Sequence, residues 1–335
     1  MRYYILVGAV VAVMAAWSGF WFYASGQVRT EIERRAGEST PSRAWAYQDL
    51  DISGFPFRIQ ADLTQSRLDL RGGSGGLSWQ TDNIKAVGHP WQPRHVLLDL
   101  SSPHLFTALR KGKPHKLTLN NRRALASLET GPEGGVARLS LDINDMELFH
   151  EGVATLRAER LQLHGRPNPE QTDAFDLALL GEAIDILEGA RRLNLAGLPR
   201  AAQLLDLQTT VTGLQSIAAE GGLARWRDDG GTLEINTLHL QWGDIEITAS
   251  GSLALDDQMR AIGALTARIK GHDELLKLAV ANGAMDKKAL LPARAVLGLL
   301  AAAAGGVLSV PVRLQDGKLF LGPAAIARLA PIIRD

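Results

Sequence analysis

Between residues 245 and 255 the chain reads IEITASGSLAL. Apolar or small residues fall at Ile245, Ile247, Ala249, Gly251, Leu253 and Leu255, and polar ones at Glu246, Thr248, Ser250 and Ser252. Successive side chains of a strand point to opposite faces, so this period of two predicts a ribbon with one apolar and one polar side. The same alternation governs the chain from about residue 45 onward. In GFPFRIQADL, Phe57, Ile59, Ala61 and Leu63 alternate with Arg58, Gln60 and Asp62. In HVLLDL, Val96, Leu98 and Leu100 share a face, and in VARLSLDI so do Ala137, Leu139, Leu141 and Ile143. Turn signals recur about every 8–12 residues, which predicts an antiparallel meander. Asn120-Asn121 joins KLTL to RRALASLE as a hairpin turn, and Asp316-Gly317 does the same for VRLQ and KLFLG. The apolar parity slips between Ile235 and Leu238, the mark of a β-bulge.

Three stretches depart from alternation. AFDLALLGEAIDIL, residues 174–187, reads either as two strands or as a helix, and its flanks favour strands. SIAAEGGLARWR reads as helical, with Gly230-Gly231 as its stop. Residues 272 to about 306 read as two helices broken near Asn282-Gly283. The uncharged stretch from Ala295 to Val312 is read as a helix packed on the sheet and not as a second membrane span. The closing PAAIARLAPII is read as a short helix.

The chain opens on a different pattern. Residues 3–28 carry no charge, and about 20 helical residues cross a hydrocarbon core of about 30 Å. Tyr3 and Tyr4 lead the run, and Trp17, Phe20, Trp21, Phe22 and Tyr23 crowd its end. Aromatic side chains gather at membrane interfaces, so Tyr3, Tyr4, Trp17, Trp21 and Tyr23 are the expected interface residues. A cleaved signal peptide has an apolar core of about 7–15 residues and a small-residue cleavage site. This run is longer and ends in bulky rings, so an uncleaved anchor is expected. Residues 26–38 prolong its helix as a stalk. Arg2 precedes the span, while Arg29, Arg34 and Arg35 follow it among Glu31 and Glu33. That count leans slightly against a body outside the cytoplasm, but a long following domain translocates largely regardless of charge. The body is expected outside the cytoplasm. The organisation is a transmembrane anchor (1–28), a stalk (29–44), a first β-meander (45–165) and a second β-rich part with inserted helices (166–335) that either continues the first or forms its own lobe. The fold class is mainly β with a few helices (α+β), an elongated antiparallel meander behind one transmembrane helix.

Composition narrows the function. The 36 basic and 36 acidic side chains cancel, which argues against a nucleic-acid partner. Absence of cysteine removes disulfides, thiolate metal sites and cysteine nucleophiles. The eight histidines form no HExxH pattern. GGSGG at 72–76 lacks the Lys-Ser/Thr of a phosphate loop, and no GxSxG elbow occurs. Paired acids such as Asp142 and Asp145 fall on solvated strand faces or in turns. No catalytic, cofactor-binding or metal residue is nominated, no cofactor is expected, and an enzyme ranks last among the functions.

The stretches SGFPFRIQADL, ARWRDDGGTLEINTLHLQW and VRLQDGKLFLGP, in that order behind the span, resemble an uncharacterised AsmA-like envelope protein family (domain of unknown function 2125). GFPFR at 54–58, the W-R-D-x-G-G-x-L-x-I run from Trp226 and DGKLFLGP are its most specific parts, and none is catalytic. The resemblance implies a periplasmic body held by the inner membrane. It also implies kinship with proteins whose long, curved sheets expose an apolar groove associated with lipid traffic. The body is too short to bridge the periplasm alone.

An apolar sheet face must be covered by helices, a second sheet or a ligand. The expected function is therefore binding or transfer of lipid along an apolar sheet groove in envelope biogenesis. The groove residues are Phe57, Ile59, Leu63, Leu139, Leu141, Ile143, Ile245, Ile247, Leu253 and Leu255. The expected partners are the inner membrane, phospholipid acyl chains and other envelope proteins. The alternative is a structural or assembly factor that pairs with envelope partners through edge strands.

Overall fold

The computed structural model describes residues 2–72, 75–110, 113–187, 189, 200–218, 222–281, 283, 285–303 and 307–332. Parts of the GGSGG stretch at 72–76, of the second β-rich part expected from 166, of the helix break at Asn282 and of the helix end near 306 lie outside these residues. Eighteen strands and five helices form among the described residues. The fold is mainly antiparallel β with an apolar N-terminal helix, as the alternation predicts. The chain divides into two compact units, Met1–Ala137 with Leu141–Val153, and Arg138–Ser140 with Ala154–Asp335.

The first unit opens with helix α1 (Arg2–Gly37). Its strands are β1 (Arg43–Ala46), β2 (Asp49–Ser53), β3 (Ile59–Gly72), β4 (Gly75–His89), β5 (Gln92–Asp99), β6 (His104–Arg110), β7 (Lys113–Asn120), β8 (Arg123–Thr130) and β9 (Val136–His150). Long strands serve as rails for pairs of short ones. β1 and β2 share one edge of β3. β3 and β4 form a hairpin from Ile59↔Gly88 to Gly72↔Gly75. On the other edge of β4, β5 takes the half from Lys85 and β6 the half to Thr81. β8 then pairs with β5, and β7 with β6 and with β9.

The hairpin expected at Asn120-Asn121 therefore does not form. β7 and β8 each extend a different short strand, and the side-chain amide of Asn121 donates to Leu100 O at 3.3 Å. Parity also slips inside β3. Ile59, Ala61 and Leu63 are buried, then Gln65 takes φ 49° and Ser66 becomes the buried residue. The register to β4 is the same on both sides of Gln65, so one unbroken strand joins IQADL and RLDL, which read as separate pieces.

The second unit runs in sequence order. Strands β10 (Val153–Pro167), β11 (Ala174–Ile186), β12 (Ala201–Thr212), β13 (Leu233–Trp242), β14 (Ile245–Leu255), β15 (Ala261–Lys270), β16 (Leu308–Gln315), β17 (Lys318–Leu321) and β18 (Ala324–Arg328) each pair with the next. Residues 174–186 are one strand. The bulge between Ile235 and Leu238 stands where parity slipped, and the Asp316-Gly317 turn closes β16 on β17. Helices α2 (Leu214–Ala218) and α3 (Gly222–Asp228) follow β12, while α4 (His272–Ala281) and α5 (Lys287–Ala303) lie between β15 and β16.

The closing segment is a strand and not the expected helix. Ala325 pairs with Phe320, and Ile326 enters the core. An open edge and a buried pocket outweigh the helix propensity of alanine, which is a weak local preference. The core of this unit sits between β14–β18 and the two helices, around Leu276, Leu297 and Leu308, each at most 1% exposed.

Candidate functional site

In the first unit, α1 runs over the sheet. The helix face formed by Phe20, Ala24, Gln27, Val28, Glu31 and Arg35 looks across at Ile59 and Ala61 of β3, Trp79, Ile84 and Ala86 of β4, and Val96 and Leu98 of β5. Between them lies a cavity of about 810 Å³, lined almost wholly by apolar side chains. That volume lies within the range of small-molecule sites, about 300–1,000 Å³. Leu50, Ala61, Leu63 and Ile84 close one side as a small packed cluster, with Ile32 of α1 against it.

Charges enter only at the rim. Arg35 donates to Glu31 at 2.6 Å and Arg34 donates to both oxygens of Glu31, which holds that carboxylate at about 2. Arg43, also on the rim, makes no ion pair among the described residues. Below the cavity, Trp79 Nε1 donates to His104 Nδ1 at 3.2 Å, and His104 Nε2 donates to Leu100 O at 2.9 Å. His104 is buried, and burial pushes its pKa below 6.5 more strongly than the Leu100 carbonyl raises it. Its imidazole is thus neutral and fixed in one tautomer.

The middle of α1, within the apolar run, is clasped by two turns of the same unit. Trp17 Nε1 donates to Pro56 O and Trp21 Nε1 to Arg58 O, each at 2.9 Å. Phe55 packs edge-on to Trp21 and stacks on Phe22, and Trp91 lies 6.1 Å from Trp17 between ring centroids. The GFPFR stretch is this clasp. Gly54 has φ 101°, and a Cβ there would stand 2.7 Å from Arg58 O, so the turn requires glycine.

The other two family-like stretches also have structural roles. Trp226 of α3 is buried with its indole donating to Thr212 O at 2.6 Å, and it lies so close over Gly231 that no side chain fits there. DGKLFLGP forms the β16–β17 hairpin and the turn into β18.

The sequence-nominated groove residues part into separate environments. Ile59 lines the cavity and Leu63 packs beside it, while Phe57 stands 68% exposed in the clasp turn. Ile143 is buried and Leu141 half-buried in the first unit. Leu139 belongs to the second unit and lines a polar concavity of about 880 Å³. Ile245 and Leu255 are buried, and Ile247 and Leu253 pack against the core covered by α4 and α5. Of the interface residues, Tyr3, Tyr4 and Tyr23 are exposed, whereas Trp17 and Trp21 turn onto the body. Sequence reasoning missed the cavity residues Trp79, Ile84 and Ala86, because nothing local says that α1 lies over them. The parity of Ile84 and Ala86 was the available signal.

In the polar concavity, burial raises the Asp176 carboxyl. Asn168, Thr210 and Arg166 outweigh that and hold it below the usual range. Those partners satisfy the carboxylate internally. His115, His150 and Glu151 bring ligand atoms within 4.8 Å of one another. Two bonds of about 2.1 Å span at most about 4.2 Å, so a shared ion would have to draw the parallel imidazoles together from 6.3 Å between centroids.

Helix α1 is long and apolar enough to span a membrane, with only 6% of its most apolar window buried. Residues 21–330 match the family described as uncharacterized proteins conserved in bacteria (DUF2125), and the chain belongs to that family. No curated protein matches the chain.

Proposed function

We propose that this is a single-pass, inner-membrane-anchored protein whose body stands in the periplasm, an AsmA-like relative that binds a lipid acyl chain in envelope biogenesis. The observation that carries this reading is the apolar cavity of about 810 Å³ between α1 and β3–β5. Water in such a space finds few polar partners, whereas each methylene placed there gains about 0.8 kcal/mol. The same helix that forms one wall would continue into the bilayer, so a chain can leave the leaflet without crossing open water. Arg43, opposite Leu70, stands at the end of the lining away from His89 and Pro93, where it is suited to the phosphate of a lipid drawn in from the leaflet.

The site uses α1 as a wall, so the full chain is the object to test. After reconstitution, a phospholipid with a fluorescent acyl chain should saturate at one site per protein. Ala86→Phe, which puts a ring into the cavity and narrows it, should weaken that binding about tenfold, and Arg43→Glu should weaken it for anionic lipids. Equal binding by wild type and Ala86→Phe would overturn the reading. What would then stand is an assembly factor that pairs through edge strands.

A further inference from the structure

We infer that the body is itself seated in the membrane surface, by the Gly54–Arg58 turn and the Pro90-Trp91 hairpin tip, which dip into the leaflet beside α1. The inference rests on the anchoring reading above and adds a second contact to it. The uncharged run extends from Tyr3 to Val28. A crossing of about 20 residues that starts at residue 3 ends at 22, and one that ends at 28 starts at 9. Every placement therefore contains residues 9–22, and with them Trp17 and Trp21. Both indoles donate to carbonyls of the Gly54–Arg58 turn, at 2.9 Å each. Wherever the bilayer sits on α1, that turn lies at the depth of the interface or below it.

The turn is dressed for that place. Phe55, Phe57 and Trp91 are 51%, 68% and 55% exposed, an apolar area that a water-facing loop has no reason to present. Aromatic side chains partition to the headgroup level, and the exposed Arg58 and Arg94 flank them where anionic headgroups attract cations. Both tips lie at the same end of the sheet, because Ile59 pairs with Gly88 and His89 with Gln92. The rim of the acyl-chain cavity includes His89, Pro90 and Pro93, so the seating would place that rim at the leaflet.

The chain has no cysteine, which permits single-site labelling of the full-length protein. Phe57→Cys and Gln92→Cys would carry an environment-sensitive fluorophore in vesicles of phosphatidylethanolamine and phosphatidylglycerol. Val11→Cys in the apolar run and Lys113→Cys at the opposite end of the sheet would serve as references. The expected result is blue-shifted emission at 57, 92 and 11 but not at 113, quenched at 57 and 92 by lipids spin-labelled near the headgroup and at 11 by lipids spin-labelled along the acyl chain. Water-like emission at 57 and 92 with 11 quenched would overturn the seating alone. Water-like emission at 11 as well would overturn the anchoring and the seating together. Phe57→Asp should reduce quenching at 92 while leaving 11 unchanged, and an unaltered signal at 92 would also contradict the inference.

Discussion

In the second unit, the apolar side of β14–β18 meets two helices, and Leu276, Leu297 and Leu308 are sealed between them. In the first unit, the corresponding side of β3–β5 meets one helix, and about 810 Å³ stays unfilled. The widths explain the contrast. Five strand rows at about 4.8 Å spacing are about 19 Å across. A helix with its side chains is about 10–12 Å wide, so two roof the five rows β14–β18, whereas the four rows that line the cavity, β1, β3, β4 and β5, are about 14 Å across and one helix leaves part of them open. The same alternation in sequence therefore yields a closed core or an open cavity according to how much helix is supplied. In the first unit that single helix is, among the described residues, the one long and apolar enough to enter a bilayer.

The largest expected effect breaks the comparison at its closed end. Leu297→Ala should lower the stability of the second unit by about 2–5 kcal/mol, because the helix pair cannot collapse around the loss. Leu98→Ala, half-buried over the cavity, should change the first unit by about 1 kcal/mol or less, since it enlarges a space already present. Hydrogen exchange resolved by unit checks both, and equal losses would contradict the contrast.

Enlargement reverses the test. Ala267→Phe, at a site 2% exposed, should cost about 1–3 kcal/mol through overpacking. Ala86→Phe should stay within about 1 kcal/mol, because its ring enters the cavity.

Acidification should separate the units next. His104 is neutral and its pKa is depressed from 6.5 by burial. Below pH 6.5 the unfolded chain takes up a proton that the folded one refuses, so the first unit loses stability as pH falls. His104→Gln should flatten that slope. In the second unit, burial raises Asp256, but the Arg260 side chain and the Arg260 and Gln258 amides outweigh it and lower its pKa from 3.8. Its contribution therefore persists until the pH falls to about 4 and below. A denaturation series from pH 7.5 to 5.5 should lower the first unit only.

The smallest effect sets the floor. Asp69→Asn removes the exposed Arg67 pair and should shift stability by about 0.5 kcal/mol or less, with no shift at high salt.

Local patterns carried much of this fold. Ile235 and Leu238 announced a bulge, Asp316-Gly317 a hairpin, and Tyr3–Val28 an apolar helix, because each signal lies within a few residues. Partner choice was hidden. Nothing near Asn120-Asn121 says that β7 and β8 will extend different halves of the β4 edge, and nothing in PAAIARLAPII says that β17 offers it a ladder. The site was hidden for the same reason. Ile59 and Leu63 were legible as apolar strand residues, but the cavity exists only because α1 folds back over them. Trp17 and Trp21 read as lipid-facing belt residues, yet their indoles are claimed by carbonyls 37 to 39 residues away.

The most direct test places a phospholipid with a photoreactive diazirine at the end of its acyl chain in vesicles with the full-length protein and maps the adducts after irradiation. The account predicts adducts on Trp79, Ile84, Ala86 and Leu98 beneath α1, lost in Ala86→Phe. Adducts confined to the exposed run of α1 before Trp17, with none on the sheet, would contradict it.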